Sequence, residues 1–515
     1  MAEPTPETLA PELAELVEPF DEHNRELVAN THPPAWVNPE PAERYHLVVI
    51  GGGTAGLVSA AGAAGLGARV ALIERRLLGG DCLNYGCVPS KALIRAARAW
   101  HAAARGGTVF GAPASGAGGD FGAVMERMRR LRAGISHHDS AERFRGLGVD
   151  VFLGDGRFVA GDAVEVAGKR LVFRRAIVAT GARPLMLPIP GLVEARPLTN
   201  ETVFTLTELP ARLGVIGAGP IGCELAQSFA RFGSRVSLFD VAPQVLIRED
   251  ADAARIIQKT LERDGVDLQL GVDIREVERR GAETVLQIEK DGDVRGLAVD
   301  QLLVAVGRVP NVEGMGLEAA GVEFSRHGVE ISDQLRTSNP KIYAVGDVAS
   351  KYKFTHVADA LARIAIQNAL FFGRKKASDL VVPWCTYTEP EIAHVGLYAR
   401  DAEERGIEIE TLTLPLSDVD RAVLDGADEG FLRLHLKKGS DRILGATLVG
   451  EHAGDTLAEL YLAVTQGIGL GRIGATIHPY PTQAEVIKKA ADQWRRGKLT
   501  PAVAKVFELF FRVFR

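Results

Sequence analysis

The segment HLVVIGGGTAG, which runs from His46 to Gly56, decides the fold of this 515-residue chain. It predicts an apolar strand and a glycine-rich turn, followed by an Ala-rich helix and a second strand that ends at Glu74. Glycines at this spacing allow a tight turn, close approach of a pyrophosphate to the helix N-terminus, and close packing of helix on strand. The segment therefore predicts a βαβ unit that binds a dinucleotide, with Glu74 placed to bind a ribose hydroxyl. The loop glycines are Gly51, Gly53 and Gly56.

The same order of elements recurs later in the chain. A strand from Leu213 to Ile216 leads into a glycine loop, a helix from Glu224 to Phe232, and a strand that ends at Asp240. Two copies predict two bound dinucleotides. An acidic residue at Asp240 accepts hydrogen bonds from a ribose 2′-hydroxyl and repels a 2′-phosphate, so NADH is favoured over NADPH. The glycines of this loop are Gly217, Gly219 and Gly222.

Two cysteines, Cys82 and Cys87, lie five residues apart in a Gly-rich segment. On an ideal helix their Cα atoms would be ~8.6 Å apart, beyond the reach of a disulfide. The chain must therefore leave helical geometry between them, which Gly86 permits, and Pro89 is suited to begin the next helix. A helix N-terminus and Lys91 would stabilise a thiolate. No further Cys or His ligands cluster nearby, so the spacing predicts a redox pair and no metal site.

Composition narrows the possible partners. The formal charge of −6 gives no electrostatic footprint for nucleic acid, so small-molecule partners are expected. Four cysteines in 515 residues exclude a disulfide-stapled scaffold. Apolar runs shorter than the roughly 18 to 20 residues needed to cross a bilayer, and the lack of a signal-peptide pattern, predict a cytoplasmic protein without a transmembrane segment.

With these motifs the sequence resembles, from about Arg44 to about Arg496, the class I pyridine nucleotide-disulfide oxidoreductases. This is the family of dihydrolipoamide dehydrogenase, glutathione reductase and mercuric reductase. The resemblance implies an α/β fold with two Rossmann-like domains, one for FAD and one for NAD(P), and a C-terminal α+β dimerisation domain in a homodimer. The implied segments are an N-terminal helical extension (1–43), the FAD domain (44–190 and 310–375), the NAD(P) domain (191–309), the dimerisation domain (376–496) and an amphipathic tail (497–515).

The resemblance also implies residue roles. It places Lys91 and Glu224 near the flavin N5, makes Cys87 the flavin-proximal thiol and turns Cys82 towards the substrate. The implied FAD residues are Gly51, Gly53, Gly56, Glu74, Lys91, Thr180, Gly181, Gly346 and Asp347. The implied residues for the nicotinamide cofactor are Gly217, Gly219, Gly222, Asp240 and Gly307, with Thr180-Gly181 and Val306-Gly307 as hinge motifs.

The sequence departs from the family at one catalytic position. The family completes its partner subunit's active site with a His followed five residues later by a Glu, but counting back from Glu485 gives Tyr480. A tyrosine, with an ordinary pKa of about 10, is a poor general base beside a histidine at about 6.5. Lipoamide-type dithiol oxidation is therefore in doubt, with His478 as an alternative for proton transfer or as the cap of a turn. The tyrosine resembles mercuric reductase, although that enzyme's C-terminal cysteine pair and N-terminal CxxC domain are missing.

These observations predict an FAD-dependent oxidoreductase. Electrons would pass from NAD(P)H through the flavin and the Cys82–Cys87 disulfide to a disulfide or metal-ion acceptor, as in mercuric reductase. A dihydrolipoamide dehydrogenase is the first alternative. A flavin-binding redox sensor or scaffold, whose tail docks on a partner or membrane, is a second, and a flavoprotein that reduces oxygen or quinones is a third.

Both ends of the chain have apolar residues at helical spacing. The N-terminal set predicts an appended amphipathic helix: Leu9, Leu13, Leu16, Val17 and Phe20. The C-terminal set lies on one helical face: Val503, Val506, Phe507, Phe510 and Phe514. For the tail, packing on the protein or its dimer partner is favoured over contact with a membrane surface.

Overall fold

A computed structural model describes residues 4–111 and 118–514. They form two compact units. The first contains residues 4–105, 118–243 and 265–380, and the second contains residues 106–111, 244–264 and 381–514. The first unit has the predicted α/β architecture, and the second has the predicted α+β architecture.

A seven-stranded sheet forms the core of the first unit, in the order β3-β2-β1-β6-β5-β4 with β18 paired to β6. Strands β3, β2, β1, β6 and β18 are parallel to one another, whereas β4 and β5 extend the sheet in antiparallel pairing from β6. β1 and β2 are almost entirely buried, as expected for parallel strands covered on both faces. The strands are β1 Tyr45–Ile50, β2 Val70–Glu74, β3 Val149–Leu153, β4 Arg157–Ala160, β5 Ala163–Val166, β6 Lys169–Val178 and β18 Ile342–Ala344.

The second βαβ repeat builds a smaller parallel sheet in the order β10-β9-β8-β14. Its strands are β8 Arg212–Ile216, β9 Arg235–Asp240, β10 Asp267–Leu270 and β14 Gln301–Val304. An antiparallel sheet of β11 Asp273–Arg280, β12 Glu283–Lys290 and β13 Asp293–Val299 accompanies it. Short pairs are made by β7 Ala182–Pro184 with β15 Arg308–Pro310, and by β16 Phe324–Ser325 with β17 Gly328–Val329. The β7–β15 pair joins the two predicted hinge segments.

Helices surround these sheets. Those of the first unit are α1 Pro11–Glu15, α2 Glu22–Thr31, α3 Thr54–Gly65, α4 Gly80–Asn84, α5 Cys87–Val109, α6 Phe121–Ser136, α7 Ala141–Gly146, α8 Pro220–Phe232 and α10 Thr355–Leu370. The last four residues of α5, 106–109, are assigned to the second unit. Among the described residues, none of the helices has both the length and the apolar character needed to cross a bilayer.

The second unit is an antiparallel sheet with helices, in the order β19-β20-β23-β22-β21. Its strands are β19 Trp384–Thr386, β20 Glu391–Gly396, β21 Ile409–Pro415, β22 Phe431–Lys437 and β23 Ile443–Gly450. Its helices are α9 Ala251–Arg263, α11 Ala399–Glu404, α12 Asp420–Leu424, α13 Ala453–Thr456, α14 Ala458–Gln466, α15 Leu470–Ile473, α16 Glu485–Gly497 and α17 Pro501–Val513. The buried faces of α14 and α16 pack with the sheet in one apolar core.

The N-terminal extension differs from the single amphipathic helix that the spacing predicts. It forms the short helices α1 and α2, separated by a segment that contains Pro19, whose ring cannot continue a helix. Its apolar residues are buried with Leu77, Leu83 and Tyr85 in one cluster: Leu9, Leu13, Leu16, Val17, Leu27 and Val28. The extension therefore packs directly on the segment that carries the cysteines.

Candidate active site

The carboxylate of Glu74 accepts hydrogen bonds from the backbone of the first glycine loop and of the turn after β2. The backbone N–H of Gly52 donates to Glu74 Oε2 at 2.6 Å, and that of Arg76 donates to Oε1 at 2.6 Å. Gly51 has φ +105°, where a Cβ would lie 2.3 Å from the carbonyl oxygen of Ala179. The loop therefore has its turn, its close backbone approach and its carboxylate in the arrangement that the motif predicts.

The second loop repeats this geometry. The N–H of Ala218 donates to Asp240 Oδ2 at 2.6 Å, and Gly217 has φ +106°. At Gly219, which caps helix α8, an added Cβ would meet no atom within 4 Å, so open space lies before the helix N-terminus. Each carboxylate oxygen keeps a further lone pair for a hydroxyl donor. Both loops thus fit the pyrophosphate and ribose of a dinucleotide.

The two cysteines lie on opposite sides of a helix break. Cys82 is in α4, which ends at Asn84, Tyr85 has the non-helical φ of −136°, and Cys87 begins α5. A Cβ at Gly86 would lie 2.9 Å from the carbonyl oxygen of Asp81, so this position requires glycine. Both cysteines are thiols, and they hydrogen bond with each other.

The environment gives the two thiols different proton affinities. A hydrogen bond from Cys82 lowers the pKa of Cys87 to about 6, against the effect of burial, and the Thr355 hydroxyl and the Lys91 charge add to this lowering. Cys87 Sγ lies 3.3 Å from Thr355 Oγ1. The same hydrogen bond, together with burial, raises the pKa of Cys82 above that of an ordinary thiol. Cys87 is therefore the more readily ionised thiol of the pair.

The chain brings Lys91 and Glu224 together from positions 133 residues apart. Lys91 Nζ donates to Glu224 Oε2 at 3.1 Å. Lys91 lies one helical turn after Cys87 on α5, and Glu224 is buried on α8 behind the second glycine loop. The ion pair therefore joins the cysteine helix to the second dinucleotide fold.

A second polar cluster surrounds Asp81, the residue before Cys82. Arg308 Nη1 lies 3.0 Å from Asp81 Oδ1, and Arg308 Nε lies 3.5 Å from Asp347 Oδ2. Asn200 Nδ2 also donates to Asp81 Oδ1 at 2.9 Å. Burial raises the pKa of Asp347 although Arg308 and Lys353 oppose it. Sequence reasoning missed Arg308, Asn200 and Thr355, although Arg308 directly follows the hinge motif that ends at Gly307.

The first hinge motif contacts the segment that follows the second. Thr180 Oγ1 donates to the carbonyl oxygen of Asn311 at 2.8 Å, and Asn311 Nδ2 donates to that of Thr180 at 2.9 Å. Gly181, Gly307 and Gly346 have φ of +69°, +122° and +73°, which favours glycine at each.

The candidate residues of the C-terminal segment all lie in the second unit. Tyr480 is exposed, and its hydroxyl donates to Asp420 Oδ2 at 2.8 Å, which raises its pKa. The His478 ring is buried, with Nε2 3.1 Å from Glu459 Oε2 and Nδ1 3.1 Å from the Thr476 carbonyl oxygen. Glu485 begins α16 with one buried oxygen that makes no hydrogen bond in the described chain. No group of three or more His, Cys, Asp or Glu residues in 4–111 and 118–514 is arranged to hold a metal ion.

Comparison with known protein families covers most of the chain. Residues 45–362 match the family described as pyridine nucleotide-disulphide oxidoreductase, and residues 382–491 match the dimerisation domain of that family. The chain is 36% identical over 455 residues to a mercuric reductase of Bacillus cereus, covering 88% of this chain and 72% of that protein. It is 31% identical over 471 residues to a dihydrolipoyl dehydrogenase of Bacillus subtilis, covering 87% and 98%.

A solved structure has the same fold. The Cu(II) complex of the HOCl-induced flavoprotein disulfide reductase RclA from Escherichia coli superposes with a TM-score of 0.77 at 28% identity, covering 86% of this chain and 98% of that one. These matches confirm the predicted fold class and the predicted use of FAD and a pyridine nucleotide. The dimerisation domain supports the predicted homodimer.

Proposed function

Because this chain belongs to the pyridine nucleotide-disulphide oxidoreductase family, we propose that Cys82 and Cys87 are its redox-active pair and that a metal ion is its preferred acceptor. This proposal rests on two neighbouring thiols on either side of the α4–α5 break, whose pKa values are shifted in opposite directions. The protein is an NAD(P)H-dependent flavoprotein oxidoreductase. FAD, when bound, would supply the two-electron chemistry that links the nicotinamide to the cysteine disulfide.

The two glycine loops support the division of the cofactors between them. We assign FAD to the loop closed by Glu74 and the nicotinamide cofactor to the loop closed by Asp240. The FAD segments would be 44–190 and 310–375, with 191–309 for the nicotinamide cofactor. Asp240 also supports a preference for NADH, because a second negative charge at the ribose 2′ position would lie against its carboxylate. Measuring kcat/KM with NADH and with NADPH tests this preference, which equal values would refute.

Protein side chains would set the direction of electron flow. The thiolate on Cys87 suits the position nearest the flavin, and Lys91 and Glu224 would orient the ring system there. Cys82 keeps its proton and would face the acceptor, where it must lose that proton to bind a metal ion or attack a disulfide.

The choice of acceptor rests on proton transfer at Tyr480. Reduction of Hg(II) to the metal consumes two electrons and no proton, whereas reduction of a disulfide to two thiols consumes two electrons and two protons. Oxidation of dihydrolipoamide needs a base. Tyr480 is unsuited to that role, because its pKa is raised and its hydroxyl donates its hydrogen bond to Asp420. The mercuric reductase relative and the Cu(II)-bound structural neighbour support a metal ion.

NADH consumption by the FAD-loaded enzyme tests the acceptor. The acceptors are lipoamide, low-molecular-weight disulfides, Hg(II) buffered by excess thiol, and Cu(II) supplied without thiol. We expect the fastest turnover with a metal ion, and loss of that turnover in Cys82→Ser. We expect Tyr480→His to gain lipoamide activity by about tenfold or more, because it restores a general base, while Tyr480→Phe gains none. Fast lipoamide turnover by the unchanged enzyme would refute the metal-ion proposal, and intact turnover in Cys82→Ser would refute the role of the cysteines.

The cytoplasmic location expected from the sequence stays a prediction. The roles of His478 and Glu485 also stay predictions. His478 is held by Glu459 and the Thr476 carbonyl in this chain, which favours a structural role for its ring.

A further inference from the structure

The C-terminal helix α17 exposes its apolar residues. Every residue of 501–514 except Ala504 is exposed, and the helix has no buried residue. The large apolar side chains retain 38% to 72% of their surface: Val503, Val506, Phe507, Leu509, Phe510, Phe511, Val513 and Phe514. The sequence pattern favours packing of this helix on the protein or on its dimer partner. Packing on the same chain is not seen among the described residues, and packing on the partner stays a prediction. Contiguous exposed apolar surface of this kind marks an interaction site.

The width of the apolar face of α17 indicates which kind of surface covers it. At about 100° per residue, Lys505, Glu508 and Arg512 fall within an arc of about 60°, and apolar residues occupy about 200° of the remainder. A helix that packs on a protein core needs an apolar stripe only about 100° wide. An arc twice as wide suits a helix that lies partly immersed in the boundary between lipid headgroups and acyl chains.

Charge indicates the kind of surface. From Trp494 to Phe514 the chain carries five cationic side chains and one carboxylate, Glu508, although the whole protein has a formal charge of −6. Arg496 and Lys498 are exposed just before the helix begins. This local excess of positive charge complements an anionic lipid surface.

α17 lies outside the dimerisation domain that this family shares. Its position along the chain therefore argues against the partner subunit as the surface that covers its apolar face. The match to the dimerisation domain ends at residue 491, and α17 begins at Pro501. With 13 residues the helix is roughly 20 Å long, too short to span a bilayer. It can lie on a membrane but cannot cross one.

We propose that α17 is a peripheral membrane anchor that lies in the plane of an anionic bilayer surface. Its phenylalanines enter the acyl boundary, and Lys505 and Arg512 face the headgroups. A homodimer carries two such helices, so binding is bivalent and stronger than that of one helix. This property is separate from the electron-transfer reaction proposed above.

Vesicle co-sedimentation of the full-length, FAD-loaded enzyme tests the anchor. We expect binding to vesicles that contain phosphatidylglycerol, weaker binding at raised salt, and little binding to pure phosphatidylcholine. Phe507→Glu/Phe510→Glu should reduce binding by at least about tenfold. The matched control Val37→Glu/Val294→Glu adds two carboxylates at other exposed apolar residues and should bind as the unchanged enzyme does.

Two further measurements test the contribution of positive charge and distinguish membrane binding from packing of α17 between two copies of the chain. Arg496→Gln/Lys498→Gln should weaken binding to anionic vesicles only, and NADH oxidation by all variants should stay unchanged. The proposal is overturned if the unchanged enzyme ignores anionic vesicles or if Phe507→Glu/Phe510→Glu binds normally. It is also overturned if that variant dissociates the dimer in sedimentation velocity, which would place α17 between two copies of the chain.

Discussion

The two ends of the chain have similar apolar patterns and opposite environments. In the N-terminal extension, Leu13, Leu16 and Leu27 are buried against the cysteine-bearing segment. In the C-terminal tail, Phe507 and Phe510 are half exposed. Helical spacing of apolar residues predicts that a helix has an apolar face, but it does not identify what covers that face.

Polar contacts explain why the N-terminal extension is fixed in place. The side-chain oxygen of Asn24 accepts from Arg132 Nη2 at 2.6 Å, and Arg132 Nη1 donates to the carbonyl oxygen of Asn84 at 2.8 Å. Arg132 is fully buried, and burial lowers its pKa to about 10. The extension is therefore linked through one buried guanidinium to the residue that ends the Cys82 helix. No comparable contact of α17 is found among the residues that the structure describes.

The largest expected difference between the two ends is in stability. Leu27→Ala removes a fully buried side chain and should lower the free energy of unfolding by about 2–4 kcal/mol. Phe510→Ala should change it by no more than about 0.5 kcal/mol, because the ring is half exposed. Thermal unfolding of the FAD-loaded enzyme measures both. A loss in Phe510→Ala as large as that in Leu27→Ala would show that the tail is packed in solution.

A smaller effect is expected from the buried polar link. Asn24→Leu removes the acceptor of Arg132 Nη2 and the two hydrogen bonds that the Asn24 amide donates to the carbonyl oxygens of Val17 and Pro19. It should cost about 1–3 kcal/mol, because a buried charged donor and two carbonyl groups lose their partners. Asn38→Ala, the matched control, removes two hydrogen bonds between the extension and Leu153 at a half-buried position far along the chain from the cysteines. It should cost only about 1 kcal/mol. If urea unfolding gives the same loss of free energy of unfolding for both variants, the contact of Asn24 with Arg132 contributes no more to stability than an ordinary hydrogen bond.

The repeated fold could be predicted because its signals are local. Strand, glycine loop, helix and acidic residue follow one another within about 30 residues, and the observed β8, Arg212–Ile216, begins one residue before the predicted strand. The break between the cysteines also followed from local geometry. The two helices of the N-terminal extension did not, because their separation at Pro19 matters only once the apolar residues on either side are buried by distant parts of the chain.

The site could be predicted in part. Lys91 and Glu224 were found because each lies in a motif that resembles a known family, although the sequence gives no sign that they meet across 133 positions. Arg308, Asn200 and Thr355 were missed because each is a single polar residue at the start of a short strand, in a turn or at a helix start. Their contacts with Asp81 and Cys87 arise from the topology of the sheets, which no local pattern encodes.

The smallest expected effect decides whether the N-terminal extension positions the thiols or only stabilises the fold. The pKa of Cys87 lies below that of an ordinary thiol, so its thiolate is present above about pH 6 and is lost as the pH falls through that value. In the reduced enzyme, iodoacetamide should therefore label Cys87 before Cys82, with a rate that rises around pH 6, as site-resolved mass spectrometry can measure. Asn24→Leu loosens the residue that ends α4 and should weaken the hydrogen bond from Cys82, which raises the pKa of Cys87 and slows labelling near the midpoint by about twofold. Asn38→Ala and Phe510→Ala should leave the profile in place. If Asn24→Leu also leaves the profile in place while losing stability, the extension supports the fold without changing the pKa values of the thiols. A shift confined to Asn24→Leu would make Asn24 a positioning residue that acts on the proposed redox pair through Arg132 and Asn84.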